Sequence, residues 1–479
     1  MSVNPAWLVR LSLSRRVDDR VSAPELTDQM VAVARRVLSA LDFVLAATLL
    51  LVTSLELLAA RALRPRQLRR PRRALIVLDA AYSLGQLERR RQLEVVTSRD
   101  LEGFFTHVWS VHPLLGAAPQ HDQDVTDGPP TERNLNDRHT FIEGHTSCSP
   151  ALSRKLPMLS LTIGQRQLVR RLVELIDREG VGLVQAEDPY YLGLLGMAVK
   201  KSRGTPLAVR VSGNYDAIYK AVGTPAYPRL LRWRRLEKII EHWVFAQCDL
   251  VLAINGDNLR YALDNGADPK KSYVVPLTSS IPAVHFLPPS ARSRPPLDAP
   301  LTGRHQVIIV SRLEPVKHVE DIIAVMRHVR QEFATSSAVV VGDGSQRLLL
   351  ESQAESESLD IRFVGDKDQE WIASVLPHVD VVVSPLTGRS LIEAALSGTP
   401  VVAYDIEWQS ELVVEGVTGR LVPYRDTVAM AAAVVDLLRH PEVGAELGAR
   451  SRQKVIDTMG PDVVLAKERE VYGRLVASS

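Results

Sequence analysis

Cations, glycines and one glutamate recur just after short aliphatic runs in the C-terminal half. Val307–Val310 leads into Ser311-Arg312-Leu-Glu-Pro-Val-Lys317-His318. Two cations five positions apart, at the mouth of a strand and before a helix, have the types needed to hold a diphosphate: a planar fork and a point charge. Solvated loop cations are the competing explanation. The run ending at Val341 continues as Gly342-Asp343-Gly344-Ser345, where glycines let backbone N–H groups approach a phosphate, or simply make a strand-to-helix turn. A dinucleotide fingerprint needs a further glycine at 347, which is Arg347, and so is disfavoured. The third segment is Ser384-Pro385-Leu386-Thr387-Gly388-Arg389-Ser390-Leu391-Ile392-Glu393, a small-residue loop opening a helix. The helix dipole favours an anion at that end. Glu393, one turn in, is placed for ribose hydroxyls or sits as a structural glutamate on an exposed face.

These segments need parallel strands that deliver their loops to one edge. From Ala74 to Tyr404, β-branched runs alternate with helical stretches. The strands fall at 74–79, 108–111, 140–143, 182–186, 207–211, 250–254 and 273–276, then at 307–310, 338–341, 361–364, 381–384 and 401–404. This rhythm predicts α/β architecture, with helices covering both faces of parallel sheets. Residues 120–137 are polar and read as an exposed loop. Residues 286–304 hold five prolines and read as a linker. The predicted organisation is a helix and basic linker over 1–73, a first Rossmann-like domain over 74–287, a linker over 288–304, a second Rossmann-like domain over 305–460 and a closing helix over 461–479. Two such domains would face each other across a cleft. In the first, Glu187 and Asp188 follow one strand and Asn214 another, positions from which they could orient or deprotonate a hydroxyl. Asp188 could equally start a helix.

The C-terminal motifs resemble the retaining, family 4 (group 1) glycosyltransferases of the GT-B fold. The resemblance rests on Arg312…Lys317, Gly342-Asp-Gly344, Glu393…Ala403 and Gly416-Val-Thr-Gly419-Arg-Leu-Val422, about 110 residues in family-like order. It implies that residues 74–287 are the acceptor-side domain and 305–460 the nucleotide-sugar domain, and that Arg312 and Lys317 bind the donor diphosphate. It implies too that the backbone of Gly388, Arg389, Ser390 and Leu391 meets the distal phosphate or sugar, and that Glu393 binds ribose. Gly342, Gly344 and Thr387 complete the donor-side candidates. Such enzymes need neither cofactor nor bound metal, and retain configuration at the transferred sugar. Many members carry a glutamate eight positions before the ribose-binding one; here it is Pro385. A nucleotide-sugar epimerase, or an inactive nucleotide-sugar-binding membrane partner, are the rival functions.

Composition narrows the classes. Lysine and arginine number 58 against 56 acids, a net charge of +2, so nothing marks a nucleic-acid binder. Only two cysteines occur, which excludes a disulfide scaffold. Arginine exceeds lysine 47 to 11, as in GC-rich bacterial genomes. Residues 25–64 lack glycine and proline and predict one long helix, with 13 uncharged residues from Phe43 to Leu55. Asp28, Arg35, Ser39, Asp42, Thr53 and Glu56 form a narrow polar stripe on it. Seven arginines follow between 61 and 73 without an acid, a pattern that suits anionic lipid at the cytoplasmic face of a membrane. If the helix lies in the interface, its stripe is expected to face water; spanning, or packing on its own protein, are the alternatives. A glycan or lipid-linked acceptor fits such a location. The basic, aromatic stretch Tyr227–Leu236 is a second possible docking helix.

Overall fold

The computed structural model describes residues 25–62, 72–89, 92–115, 128–227, 233–277, 281–293, 304–386 and 388–477. Thr387, most of the basic run (Arg64, Arg66, Arg69 and Arg70), linker residues 294–303 and residues 228–232 lie outside it. The chain divides into two compact units. One comprises residues up to 254 with 258–275 and 467–479; the other comprises 255–257 and 276–466.

The first unit is built on eight strands: β1 (Arg72–Leu78), β2 (His107–Leu115), β3 (Thr131–Asn136), β4 (His139–His145), β5 (Val181–Ala186), β6 (Leu207–Val211), β7 (Leu250–Ala253) and β8 (Ser272–Val274). Their order is β3-β4-β2-β1-β5-β6-β7-β8. All neighbouring pairs are parallel except β3 with β4. Ile76, Val77, Leu183 and Val184 are fully buried, which is why these strands read as unbroken aliphatic runs and not as an alternation. Helices Pro157–Glu179 and Tyr191–Arg203 link β4 to β5 and β5 to β6. The chain grows outward from β1 in one direction and from β5 in the other, so the strand order reverses between them.

Residues 131–136, expected in a loop, form β3 instead. Its sequence, Thr-Glu-Arg-Asn-Leu-Asn, is polar because it is an edge strand with mostly exposed side chains, and edges resist wrong pairing by carrying charge. Polar contacts hold it: Thr140 of β4 donates to Asn134 at 2.9 Å, and Arg171 of the helix Pro157–Glu179 pairs with Glu132.

The second unit has six parallel strands: β9 (His305–Val310), β10 (Ser336–Val341), β11 (Ile361–Gly365), β12 (Val381–Ser384), β13 (Val401–Tyr404) and β14 (Arg420–Val422). The order β11-β10-β9-β12-β13-β14 reverses between β9 and β12. In open parallel sheets, ligands bind beyond the carboxyl ends of the strands at such reversals.

Two helices frame the first unit. The closing helix, Pro461–Ala477, reaches its β-sheet through the second half: Glu468 pairs with Arg210 and the Tyr472 hydroxyl meets Gln185. Arg469 donates to the carbonyl of Leu101 at 2.7 Å. At the other end of the chain, the helix Glu25–Ala62 sets Asp42 and Glu56 of its polar stripe against the helix Pro157–Glu179. Asp42 is buried there and does not face water, contrary to the orientation expected of an interfacial helix, because two backbone N–H groups claim its carboxylate.

Candidate functional site

The reversal between β9 and β12 brings together two of the sequence-derived loops. After β9 the chain passes through Arg312, tightens into a short 3-10 turn at Pro315–Lys317, and leaves through His318 at φ 53°. Leu313 anchors this loop in the core, and its N–H donates to Asp343 while its carbonyl accepts from Gln346, both at 2.9 Å. Glu314 takes the Ser345 hydroxyl at 2.7 Å. Gly342 and Gly344 are required by this knitting. A Cβ on either would overlap the carbonyl oxygen of Ser311 or Leu313, and Gly342 also has φ +128°. Their observed role is thus to let the β10 loop pack under the β9 loop and hold Arg312 and Lys317 in place.

Lys317 extends to the loop after β12. Its ammonium lies 3.8 Å from where a Cβ on Gly388 would stand. Gly388, at φ +71°, is the N-cap of the helix Arg389–Ser397, so the lysine sits over the positive end of a helix. Burial lowers the Lys317 pKa first, the Arg312 guanidinium lowers it further, and Glu407 opposes both. Among the described residues neither Arg312 nor Lys317 joins an ion pair. Lys317, a helix N-terminus and the field of Arg312 add up here, with Glu407 opposing, which is the electrostatic form of a phosphate site.

Glu393 is not on an exposed face: it is 1% exposed. Its carboxylate lies 3.0 Å from the Arg389 guanidinium one turn earlier. Burial raises its pKa and Arg389 opposes the shift. Leu391 is fully buried, so only its backbone can meet a ligand, while Arg389 and Ser390 are half-buried.

Two residues on the same edge escaped the sequence reading. Glu407 faces Lys317 from the loop after β13, and Gln409 ties three loops together. The Gln409 amide donates to the carbonyls of Pro385 and Tyr404, each at 2.9 Å, and its oxygen accepts from Ser384 at 3.3 Å. The signal that finds them is positional: they follow a strand adjacent to β12.

At the reversal in the first unit, the ends of β1 and β5 carry Asp79, Glu187 and Asp188. Asp79 pairs with Arg99 and accepts the Ala81 N–H at 2.8 Å. It was not among the candidates, although it directly follows the first aliphatic run. Glu187 accepts from the Gln185 amide at 2.6 Å. Burial raises its pKa, Arg210 lowers it, and Asp79 raises it. Asp188 accepts the N–H groups of Tyr190 at 2.8 Å and Leu192 at 3.3 Å, and takes the Tyr227 hydroxyl on its other oxygen. Burial, against those hydrogen bonds, pushes its pKa up to about 7. It therefore starts the helix Tyr191–Arg203 and is also poised to exchange a proton near neutrality. Asn214 caps the helix Tyr215–Val222, accepting from the Ala217 N–H at 3.1 Å. No three His, Cys, Asp or Glu side chains converge as a metal cage among the described residues.

Two family descriptions match the chain. "Glycosyl transferases group 1" covers residues 304–440 and "Glycosyltransferase Family 4" covers 131–277. Similar curated proteins include a glycogen synthase of Mycobacterium tuberculosis, 31% identical over 179 residues, which is 36% of this chain and 43% of the relative. A phosphatidyl-myo-inositol mannosyltransferase of Mycolicibacterium smegmatis is 33% identical over 161 residues, 33% of this chain and 42% of the relative. The match thus spans about two-fifths of the length of these relatives. Among solved structures, HepE of Anabaena in complex with UDP superposes with a TM-score of 0.61 at 15% identity, over 84% of this chain and 99% of that one. Sucrose-phosphate synthase of Thermosynechococcus elongatus gives 0.60 at 17% identity, over 85% and 100%.

Proposed function

Since the chain belongs to the group 1 glycosyltransferases and has the GT-B fold, we propose that it transfers a sugar from a nucleotide-sugar donor to a hydroxyl of a lipid-linked or cell-envelope glycan. Transfer proceeds with retention, at the cytoplasmic face of a membrane. The observation that carries this is the meeting of Arg312, Lys317 and the N-terminus of the helix Arg389–Ser397.

As the glycosidic bond breaks, negative charge builds on the leaving diphosphate. Two fixed cations and oriented backbone dipoles stabilise that charge without reorganising, and do so more strongly in a partly buried site than in water. Glu393 holds the ribose hydroxyls. Arg389 keeps it in place and favours its charged, accepting form. The first unit takes the acceptor, with Glu187 and Asp188 orienting its hydroxyl; a carboxyl titrating near neutrality is suited to receive the hydroxyl proton. The mannosyltransferase relative, named for phosphatidyl-myo-inositol, and the apolar N-terminal helix support a lipid-bearing acceptor.

A panel of labelled uridine and guanosine diphosphate sugars, with and without membrane-lipid extracts, tests the proposal. Acceptor-dependent release of nucleotide diphosphate, surviving exhaustive chelation of divalent ions, is the expected result. Isomerised sugar nucleotide without acceptor would make the protein an epimerase. Binding without turnover would make it an inactive partner, the role that Pro385 in place of a carboxylate favours.

A further inference from the structure

The N-terminal helix inverts the usual arrangement of a surface helix. Between Arg36 and Leu57 it holds an 18-residue stretch with a mean hydropathy of 2.1. Two acidic side chains of its stripe, Asp42 and Glu56, engage the protein, Asp42 buried and Glu56 partly exposed. Asp42, 3% exposed, accepts the N–H groups of Met158 at 2.9 Å and Leu159 at 2.8 Å. It thereby caps the helix Pro157–Glu179, whose own N-cap position is Leu156 and supplies no side-chain bond. Fourteen residues later Glu56 bonds Arg166 and Arg170 of the same helix. Val37, Val44, Leu51 and Leu55 face away and are each more than half exposed.

We propose that this helix lies in the plane of an anionic bilayer, clamped to the first unit by Asp42 and Glu56, with both of its ends on one side of the membrane. The proposal deepens the membrane location proposed above and rests on it. Contiguous apolar surface on this scale marks a partner. A second copy of the helix would bury one seam. Here Phe43 and Leu50 on one flank, and Leu38 and Leu45 on the other, are exposed as well, so apolar surface extends round the sides the clamp leaves free, broken by Thr48 and Ser54, whose hydroxyls bond the helix's own carbonyls. Lipid can cover all of it. The seven arginines from 61 to 73 follow directly and complement anionic head groups. Crossing is incompatible with the clamp. Asp42 and Glu56 stand about 21 Å apart along the axis, most of the roughly 30 Å hydrocarbon core. A docked, crossing helix would carry Arg166, Arg170 and Arg171 into hydrocarbon.

Depth measurements on the full chain test this. Cysteines introduced singly at Val37, Val44, Leu51 and Leu55, in a Cys148→Ser background, carry an environment-sensitive fluorophore. The chain is then bound to phosphatidylcholine vesicles with or without roughly 30% phosphatidylglycerol. The expected result is one shallow depth at all four positions, with binding at least about fivefold tighter on the anionic vesicles. Amide exchange at Met158 and Leu159 should quicken by at least about tenfold in Asp42→Ala, because a capped N–H must open before it exchanges. Depth that peaks at Val44 and Leu51 would show a crossing helix and overturn the proposal. Unchanged exchange in the variant would remove the clamp. Labels shielded without vesicles, in a concentration-dependent dimer, would give the face to a second copy. Absence of any vesicle binding would overturn the membrane location too, while nucleotide-sugar affinity on the same samples reports separately on the enzyme assignment.

Discussion

The two strand-order reversals are built alike and charged differently. At the ends of β1, β5 and β6, most charges are matched with partners of the same unit: Asp79 with Arg99, Arg210 with Glu468, and Asp188 with two N–H groups and a tyrosine hydroxyl, while Glu187 alone works against Asp79. At the ends of β9 and β12, Arg389 is matched with Glu393, but the charged form of Lys317 is disfavoured by burial and by Arg312, with Glu407 opposing them. Matched charges at strand ends hold the fold together. Like charges held close are a cost to the fold, and they become favourable only when an anion arrives. The first reversal is therefore the more structural of the two, and the second the more dependent on ligand.

Breaking a matched pair should give the largest effect. Glu468→Ala strands the Arg210 guanidinium, whose side chain is 5% exposed. Removing one partner of a buried pair costs about 3–5 kcal/mol, to be read by denaturant unfolding, and Arg210→Met with Glu468→Leu should recover most of it. A loss below about 1 kcal/mol would erase the contrast between the two reversals. Next in size is Lys317→Ala. It should weaken nucleotide diphosphate by about 1.5–3 kcal/mol, the worth of a charge-assisted contact, with thermal stability unchanged or raised. Calorimetry showing unchanged nucleotide affinity would remove the lysine from the site. The smallest effect, about 1.4 kcal/mol per pH unit, is a pH slope. Asp188 holds its proton up to about pH 7 when folded, against a reference value of 3.8. Folding thus takes up a proton between those values. The contribution to stability is complete below the lower one and is lost as pH rises through the upper. Asp188→Asn keeps an acceptor for the helix N–H groups and should flatten that part of the stability profile. An unaltered slope between pH 4 and 7 would show that Asp188 stays ionised.

What could be read from the residues follows from how local the cause is. Buried parallel strands such as Val307–Val310 and Val381–Ser384 declare themselves, because both faces must be apolar. β3 does not, since an edge strand can be polar throughout and its partner alone makes it a strand. Arg312, Lys317 and Glu393 were visible from loop position and residue type. Glu407 and Gln409 were not, as neither lies in a glycine-rich or cation-rich segment. The partnership of Arg210 with Glu468 has no local trace, the two being 258 positions apart. Periodicity grouped Asp42 and Glu56 on one face of their helix. It cannot say whether that face meets water or protein, and only Met158, Leu159, Arg166 and Arg170 decide the matter.

The closing helix also sets a timetable for synthesis. Arg210 lies on β6, inside the first unit, yet its carboxylate partner is made 258 residues later, and Tyr472 reaches Gln185 across 287. At about 5–20 residues per second a ribosome needs roughly 10–50 s to cover the shorter gap. For that whole interval the nascent first unit holds a guanidinium among its strands without the group that neutralises it. Its sheet can assemble on the ribosome, but its polar interior is finished only from the far end of the chain.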